Sequence, residues 1–263
     1  AADTAKGIYN FCQTIFNLPC SLVTPITISI IPTVTAALTV KNLSGARRTE
    51  ESAVRTMGLI TMPCAVGLAV LSEPIIRLLA SNYGAESVAT ATPILMYLGI
   101  AVIFNSTVLL FNAIMQAHGD VTTPVVNMLI GGIVKVIVNY ILVGIPALNI
   151  VGAAIGTVIC YLTITILDLI AMRRTVTTRP VIFRNIVRPG LAAVLMGAAT
   201  YLSYRLLARL VSSNTVSCLV TLVIAVIEYG ILVLALQCIT YEDCMLFPKG
   251  EKIAKILHIK HKS

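Results

Sequence analysis

Residues 219–236, "LVTLVIAVIEYGILVLAL", carry one charged side chain, Glu228, and are apolar on every side. Such a run cannot be the amphipathic helix of a water-soluble domain. Roughly 20 apolar residues at about 1.5 Å rise per residue cross a hydrocarbon core of ~30 Å. Comparable runs recur along the chain, and we read spans at 8–40, 55–80, 92–117, 122–145, 150–172, 186–208 and 216–240. A transmembrane barrel would need segments of about ten residues with strict alternation, so all are predicted to be helices. The expected fold class is all-α, a polytopic membrane protein with about seven transmembrane helices. With 57% hydrophobic and 11% charged residues and a mean hydropathy of +0.94, the chain has more apolar surface than one soluble core would bury. The first span is long for one crossing, and Pro19, Pro25 and Pro32 predict a bent or broken helix there.

The net charge of +8 is topological. Lys41, Arg47, Arg48 and Arg55 lie between spans one and two, and Arg173, Arg174, Arg179, Arg184 and Arg188 between five and six. Lys249, Lys252, Lys255, Lys260 and Lys262 follow span seven. If every span crosses, these regions share one side, which the positive-inside rule makes cytoplasmic. Nucleic acid is therefore not an expected partner. The first residue is then expected outside. Because "AADTAKGIYN" has neither an initiator Met nor a signal peptide, an odd number of earlier spans is expected to precede it. The chain reads as the C-terminal piece of a larger protein, ending in a basic cytoplasmic tail over 246–263.

Cys12, Cys20, Cys64, Cys160, Cys218, Cys238 and Cys244 mostly sit inside spans and form no C-x-x-C pair, so free buried thiols are expected and no metal site. No G-x-x-x-x-G-K-[ST], H-E-x-x-H or G-x-S-x-G occurs. His118, His258 and His261 fall in loops or the tail. No catalytic residues, no cofactor and no enzyme activity are expected.

Several ordered stretches carry a resemblance: "GIYNFCQTIFNLPCSLVTPITISIIPTVTAAL", "LITMPCAVGLAVLSEPIIRLLA" and "AIMQAHGDVTTPVVNMLIGGIVKVIVNYILVGIPALNIVGAAIGT". Together they resemble the second half of a flippase of the stage V sporulation protein B type. That type belongs to the superfamily that also holds the lipid II flippases and the multidrug and toxin extrusion transporters. The resemblance implies fourteen helices, as two six-helix lobes around a central cavity followed by two extra helices. Seven spans that start outside fit the last seven of them. Residues 1–175 would then be most of the C-terminal lobe and 176–245 the further spans. The missing N-terminal half, membrane lipids and an undecaprenyl-linked sugar or similar anionic lipid would be the partners. The lipid II branch tends to carry a cavity arginine just before "IFNLP", where this chain has Gln13 and Thr14.

The candidate substrate residues are intramembrane polar ones. Asn127, Gly131, Lys135 and Asn139 recur every four residues, one slightly drifting helical stripe. Lys135 lies too deep to snorkel. At a helix centre it costs about 2.5–3.5 kcal/mol on insertion scales, which calls for water or an anionic partner. Two readings stand. Lys135 presents charge to the phosphates of a lipid-linked sugar, supplying the absent arginine's charge from another helix, or it pairs with Glu228, the one deeply placed acid, or with helix carbonyls. Glu228 is also the candidate for ion coupling. Asp168, near Arg173 and Arg174, is expected in an interfacial ion pair. Asn105, Asn112 and Gln116 share a face of span three, lining a sugar path or bonding across helices. Gln13 and Asn17 stand a turn apart before Pro19, where a discontinuous helix would make a substrate site. Gly152 and Gly156 in "GAAIGT" predict a close helix approach, and Pro63, Pro74, Pro124 and Pro146 predict kinks or helix ends. "KNLSGARRTEESAVR" is expected to be a solvated charged loop.

The functional expectation is a flippase for a lipid-linked oligosaccharide or peptidoglycan precursor. The alternatives are a cation-coupled multidrug antiporter of the same superfamily, with an intramembrane carboxylate in the lobe, and a non-transporting membrane scaffold in envelope or spore assembly.

Overall fold

The computed structural model describes residues 2–80, 83–210 and 213–238. The 246–263 tail, Cys244, His258 and His261 lie outside them. Among the described residues the chain is helical throughout: α1 (Ala2–Thr39), α2 (Leu43–Val70), α3 (Ser72–Leu79), α4 (Ala85–Ala117), α5 (Thr122–Val143), α6 (Val151–Thr175), α7 (Ile182–Leu210) and α8 (Asn214–Ala235). All but α3 are long and apolar enough to cross a membrane, in agreement with the predicted number of spans.

Helix α4 is the hub, packed against α1, α2, α3 and α6. Its buried Ile94, Leu95, Leu98 and Val102 join Phe16 of α1 and Ile75 and Ile76 of α3 in one apolar cluster. Its Leu110, Phe111, Ile114 and Met115 join Val34, Met57 and Met172 in another, nearer the basic end. Gly99 lets α4 and α2 touch closely, since a Cβ there would stand 3.0 Å from the Ala65 carbonyl. Helix α7 packs on α2 and α8, α8 also meets α3, and α5 lies outermost against α6. The described cysteines are free, buried except for half-buried Cys64.

Three expectations change. The prolines do not break α1, which runs unbroken from Ala2 to Thr39. Each proline removes one rung of the backbone ladder, while nearby hydroxyls reinforce it. Ser21 donates to the Leu18 carbonyl at 2.7 Å, Thr27 to Thr24 at 2.8 Å and Ser29 to Pro25 at 3.0 Å. The span predicted over 55–80 is two helices. The chain turns at Leu71, and Pro74 sits in the first turn of α3, where its missing N–H costs nothing. The predicted loop over 41–55 is instead the start of α2. Asn42 caps it, its Oδ1 accepting from the Gly45 N–H at 2.9 Å, and Arg47 pairs with Glu51 one turn on at 2.9 Å.

Candidate functional site

The buried face of α1 is formed by Ile8, Cys12, Ile15, Phe16, Cys20 and Val23. Rotation by about 100° per residue puts Asn10, Thr14, Asn17, Ser21 and Thr24 on the opposite face, and all five are exposed. The Thr14 and Ser21 hydroxyls are partly occupied by their own helix, on the Asn10 and Leu18 carbonyls. The amides of Asn10 and Asn17 hold no partner among the described residues. Exposed faces elsewhere are apolar: Val125, Leu129, Val136 and Ile137 on α5, and Val223, Val226 and Ile227 on α8. Hydrocarbon suits those faces but not the α1 stripe, whose side chains call for water or polar partners. Of the two candidates predicted on this helix, Asn17 lies on the stripe and Gln13 is half-buried at its edge. The rest of the stripe went unread, although its spacing of alternately four and three residues is legible in the sequence.

The α5 stripe points elsewhere. Asn127 is buried, and its Nδ2 donates to Asp168 Oδ1 of α6 at 2.8 Å. A Cβ on Gly131 would strike the Ile164 side chain, one on Gly156 would strike Asn139 Oδ1, and one on Gly152 would strike the Leu142 backbone. The two antiparallel helices thus mesh rung by rung every four residues. Lys135 occupies the rung between Gly131 and Asn139 and is half-buried. Gly152 and Gly156 make the close approach predicted for them, and α5 is the helix that approaches.

Asp168 is therefore not in an interfacial pair with Arg173 and Arg174. It is fully buried between helices, with Oδ1 on Asn127 and Oδ2 lacking a partner among the described residues. Nor does Lys135 pair with Glu228. Glu228 sits on α8, which packs on α7 and α3, and its buried Oε2 has no hydrogen-bond partner among the described residues. On α4 the amides separate by environment. Asn105 is half-buried near the Cys20 thiol. Asn112 is buried and donates to Met128 Sδ of α5 at 3.6 Å, and Gln116 is exposed.

A second polar centre closes the basic end. Glu50 of α2, fully buried, meets His118 Nε2 at the end of α4 at 2.8 Å and accepts from the Thr178 hydroxyl at 2.5 Å. Glu51 accepts from the Val181 N–H at 2.9 Å, and Arg55 donates to Asn185 of α7 at 3.2 Å. These bonds hold the 176–181 connection against α2 and α4. His118 lies in the turn after α4, as expected of a loop residue, but its spacing from Glu50 and Thr178 gives no local signal. Pairing across 68 and 60 residues is visible only in the fold.

The lipid II flippase MurJ family model matches residues 1–236. A curated relative, the lipid II flippase MurJ of Bacillus subtilis (strain 168), is 26% identical over 170 residues, covering 62% of this chain and 30% of that protein. A solved structure of a lipid II flippase MurJ in an inward closed conformation superposes with a TM-score of 0.66 at 19% identity. The match covers 87% of this chain and 46% of that one. The chain thus spans less than half the length of either relative.

Proposed function

The chain belongs to the lipid II flippase MurJ family, a family of multi-pass proteins of the cytoplasmic membrane, and from that premise we propose that it forms the C-terminal lobe and two following helices of a flippase. The cargo is an undecaprenyl-linked peptidoglycan precursor, carried across the membrane without chemical change. Residues 1–175 are most of that lobe and α7 and α8 the added helices, with the arginine-rich ends in the cytoplasm and the first residue outside. The ordered stretches also resemble the stage V sporulation protein B type, and both types share a cargo class of anionic, polyprenyl-linked saccharides.

The observation that carries this reading is the exposed polar stripe of α1, Asn10 to Thr24, on a helix whose other face is buried in the lobe. A neutral, hydroxyl- and amide-bearing wall suits a sugar-bearing head group, which needs many hydrogen bonds and no fixed charge. Gln13, at the edge of this wall, extends it. Lys135 is the one cation on α5, and it supports the cargo phosphates from the α5–α6 rung. Gln116, exposed on α4, adds to that path, whereas Asn105, beside the Cys20 thiol on the buried face of α1, acts through helix packing together with Asn112, Asn127 and Asn139.

A second reading, a cation-coupled antiporter, draws on the orphaned Oδ2 of Asp168, a buried carboxylate in the lobe, and on the matching orphan at Glu228. One assay separates the two. The full-length protein in proteoliposomes is offered undecaprenyl-linked saccharides and, separately, organic cations. Translocation of the lipids, reduced by Lys135→Ala and by Asn17→Leu, is the expected result. Efflux of organic cations with no movement of any lipid substrate supports the antiporter instead.

A further inference from the structure

Helix α7 begins against α2 and runs on to α8, but it does not lie flush on α4 and α6. The crevice left between them has a volume of about 790 Å³, within the range of pockets that enclose a small organic ligand. No residue of α1 lines it, so it is separate from the polar stripe. Its walls are apolar, with Ile103 and Phe104 of α4, Leu169 of α6 and Ile186 of α7 among them. Thr107 and Thr165 also line it, but their hydroxyls donate to carbonyls of their own helices at 2.8 Å. A sugar or nucleotide there would leave its polar groups unpaired.

One end is different in kind. Arg173, in the last turn of α6, and Arg179, in the connection to α7, both line the crevice and both are exposed. Arg47 and Arg77 each hold a glutamate one turn away, whereas neither Arg173 nor Arg179 has an acidic partner among the described residues. Arg179 adopts φ 47, a backbone region that non-glycine residues seldom occupy. Phe183, 82% exposed, stands at the rim. The crevice is thus an apolar slot along the helices with two guanidinium forks at its mouth.

We propose that this crevice binds an anionic phospholipid of the leaflet on the arginine side. The guanidinium groups take its phosphate and one acyl chain fills the slot. Arginine matches phosphate by paired N–H donors, and basic pockets between transmembrane helices suit anionic head groups. The lipid serves as packing between α7 and the lobe, where protein contacts are missing. The proposal rests on the membrane location and not on the identity of the cargo.

The test is native mass spectrometry of the purified full-length protein, delipidated and then offered phosphatidylglycerol or phosphatidylcholine. Wild type should retain phosphatidylglycerol preferentially. The double variant Arg173→Gln, Arg179→Gln should lose roughly thirty-fold of that retention with phosphatidylcholine unchanged, given about 1 kcal/mol per basic residue near an anionic surface. Ile186→Trp keeps both arginines and fills the slot, so it should lower retention even if the double variant fails to fold. Equal retention of the two lipids, or retention unaffected by Ile186→Trp, overturns the proposal. Displacement of phosphatidylglycerol by equimolar undecaprenyl phosphate does so too, because the crevice would then be a cargo site.

Discussion

Asn127 donates a 2.8 Å hydrogen bond to Asp168 across the α5–α6 interface, and both side chains are buried. A pair 41 residues apart in sequence therefore fixes the register of two antiparallel helices near their basic end. Without Asn127, the buried Asp168 would have neither oxygen bonded among the described residues.

Asn127→Leu should accordingly lower stability by about 1–3 kcal/mol, the cost of an orphaned buried polar group. Asp168→Asn leaves an amide that still accepts from Asn127, and its loss should be smaller. Thermal unfolding of both variants in one detergent checks the order, and equal losses would count against the pair.

Glu50 joins α2 to both His118 and Thr178. Glu50→Ala strands two buried groups at once and should cost more than Thr178→Val, which removes the hydroxyl's bond to Glu50, worth about 0.5–1.5 kcal/mol, and its longer 3.4 Å contact with His118. Protease cutting within 176–181 reads the release of the connection directly. Faster cutting in Glu50→Ala than in Thr178→Val is the expected order.

The glycines of α5 and α6 differ in what surrounds them. A Cβ at Gly156 would fall on Asn139, whereas Gly132 faces open space. Gly156→Leu should force the helices apart and lower the melting temperature. Gly132→Ala should be neutral or stabilising by up to about 1 kcal/mol through helix propensity. Melting curves of the two variants side by side decide it.

The α1 stripe predicts a pattern of water access. In a cysteine-free background, Asn17→Cys and Ser21→Cys should react with a membrane-impermeant thiol reagent, because only a wetted thiol ionises readily. Leu129→Cys on the apolar face of α5 and Val23→Cys in the core should stay unlabelled. Equal labelling at Leu129 and Asn17 would remove the assignment of this face to an aqueous path.

Much of this molecule is written in local pattern. The seven long apolar runs, the four-residue spacing from Asn127 to Asn139 and the glycine pair at 152 and 156 are periodicities, and helices display periodicity on their surfaces. The charged start of α2 was misread because charge alone suggests solvent, and burial of Glu50 depends on His118 and Thr178 arriving from elsewhere. Asp168 was misread for the same reason. Arg173 and Arg174 are near it in sequence, but the residue across the helix interface is Asn127.

The sequence by itself determined that this chain is a bundle of membrane-crossing helices and which residues share each helical face, because turn geometry is local and repeats at every position. Only the tertiary structure decided what each face meets. It sends the α5 stripe into α6, leaves the α1 stripe without a helix upon it among the described residues and separates Lys135 from Glu228. Helix neighbours are chosen by close packing and by pairing of buried polar groups across distant segments, and no period within one helix encodes its partner.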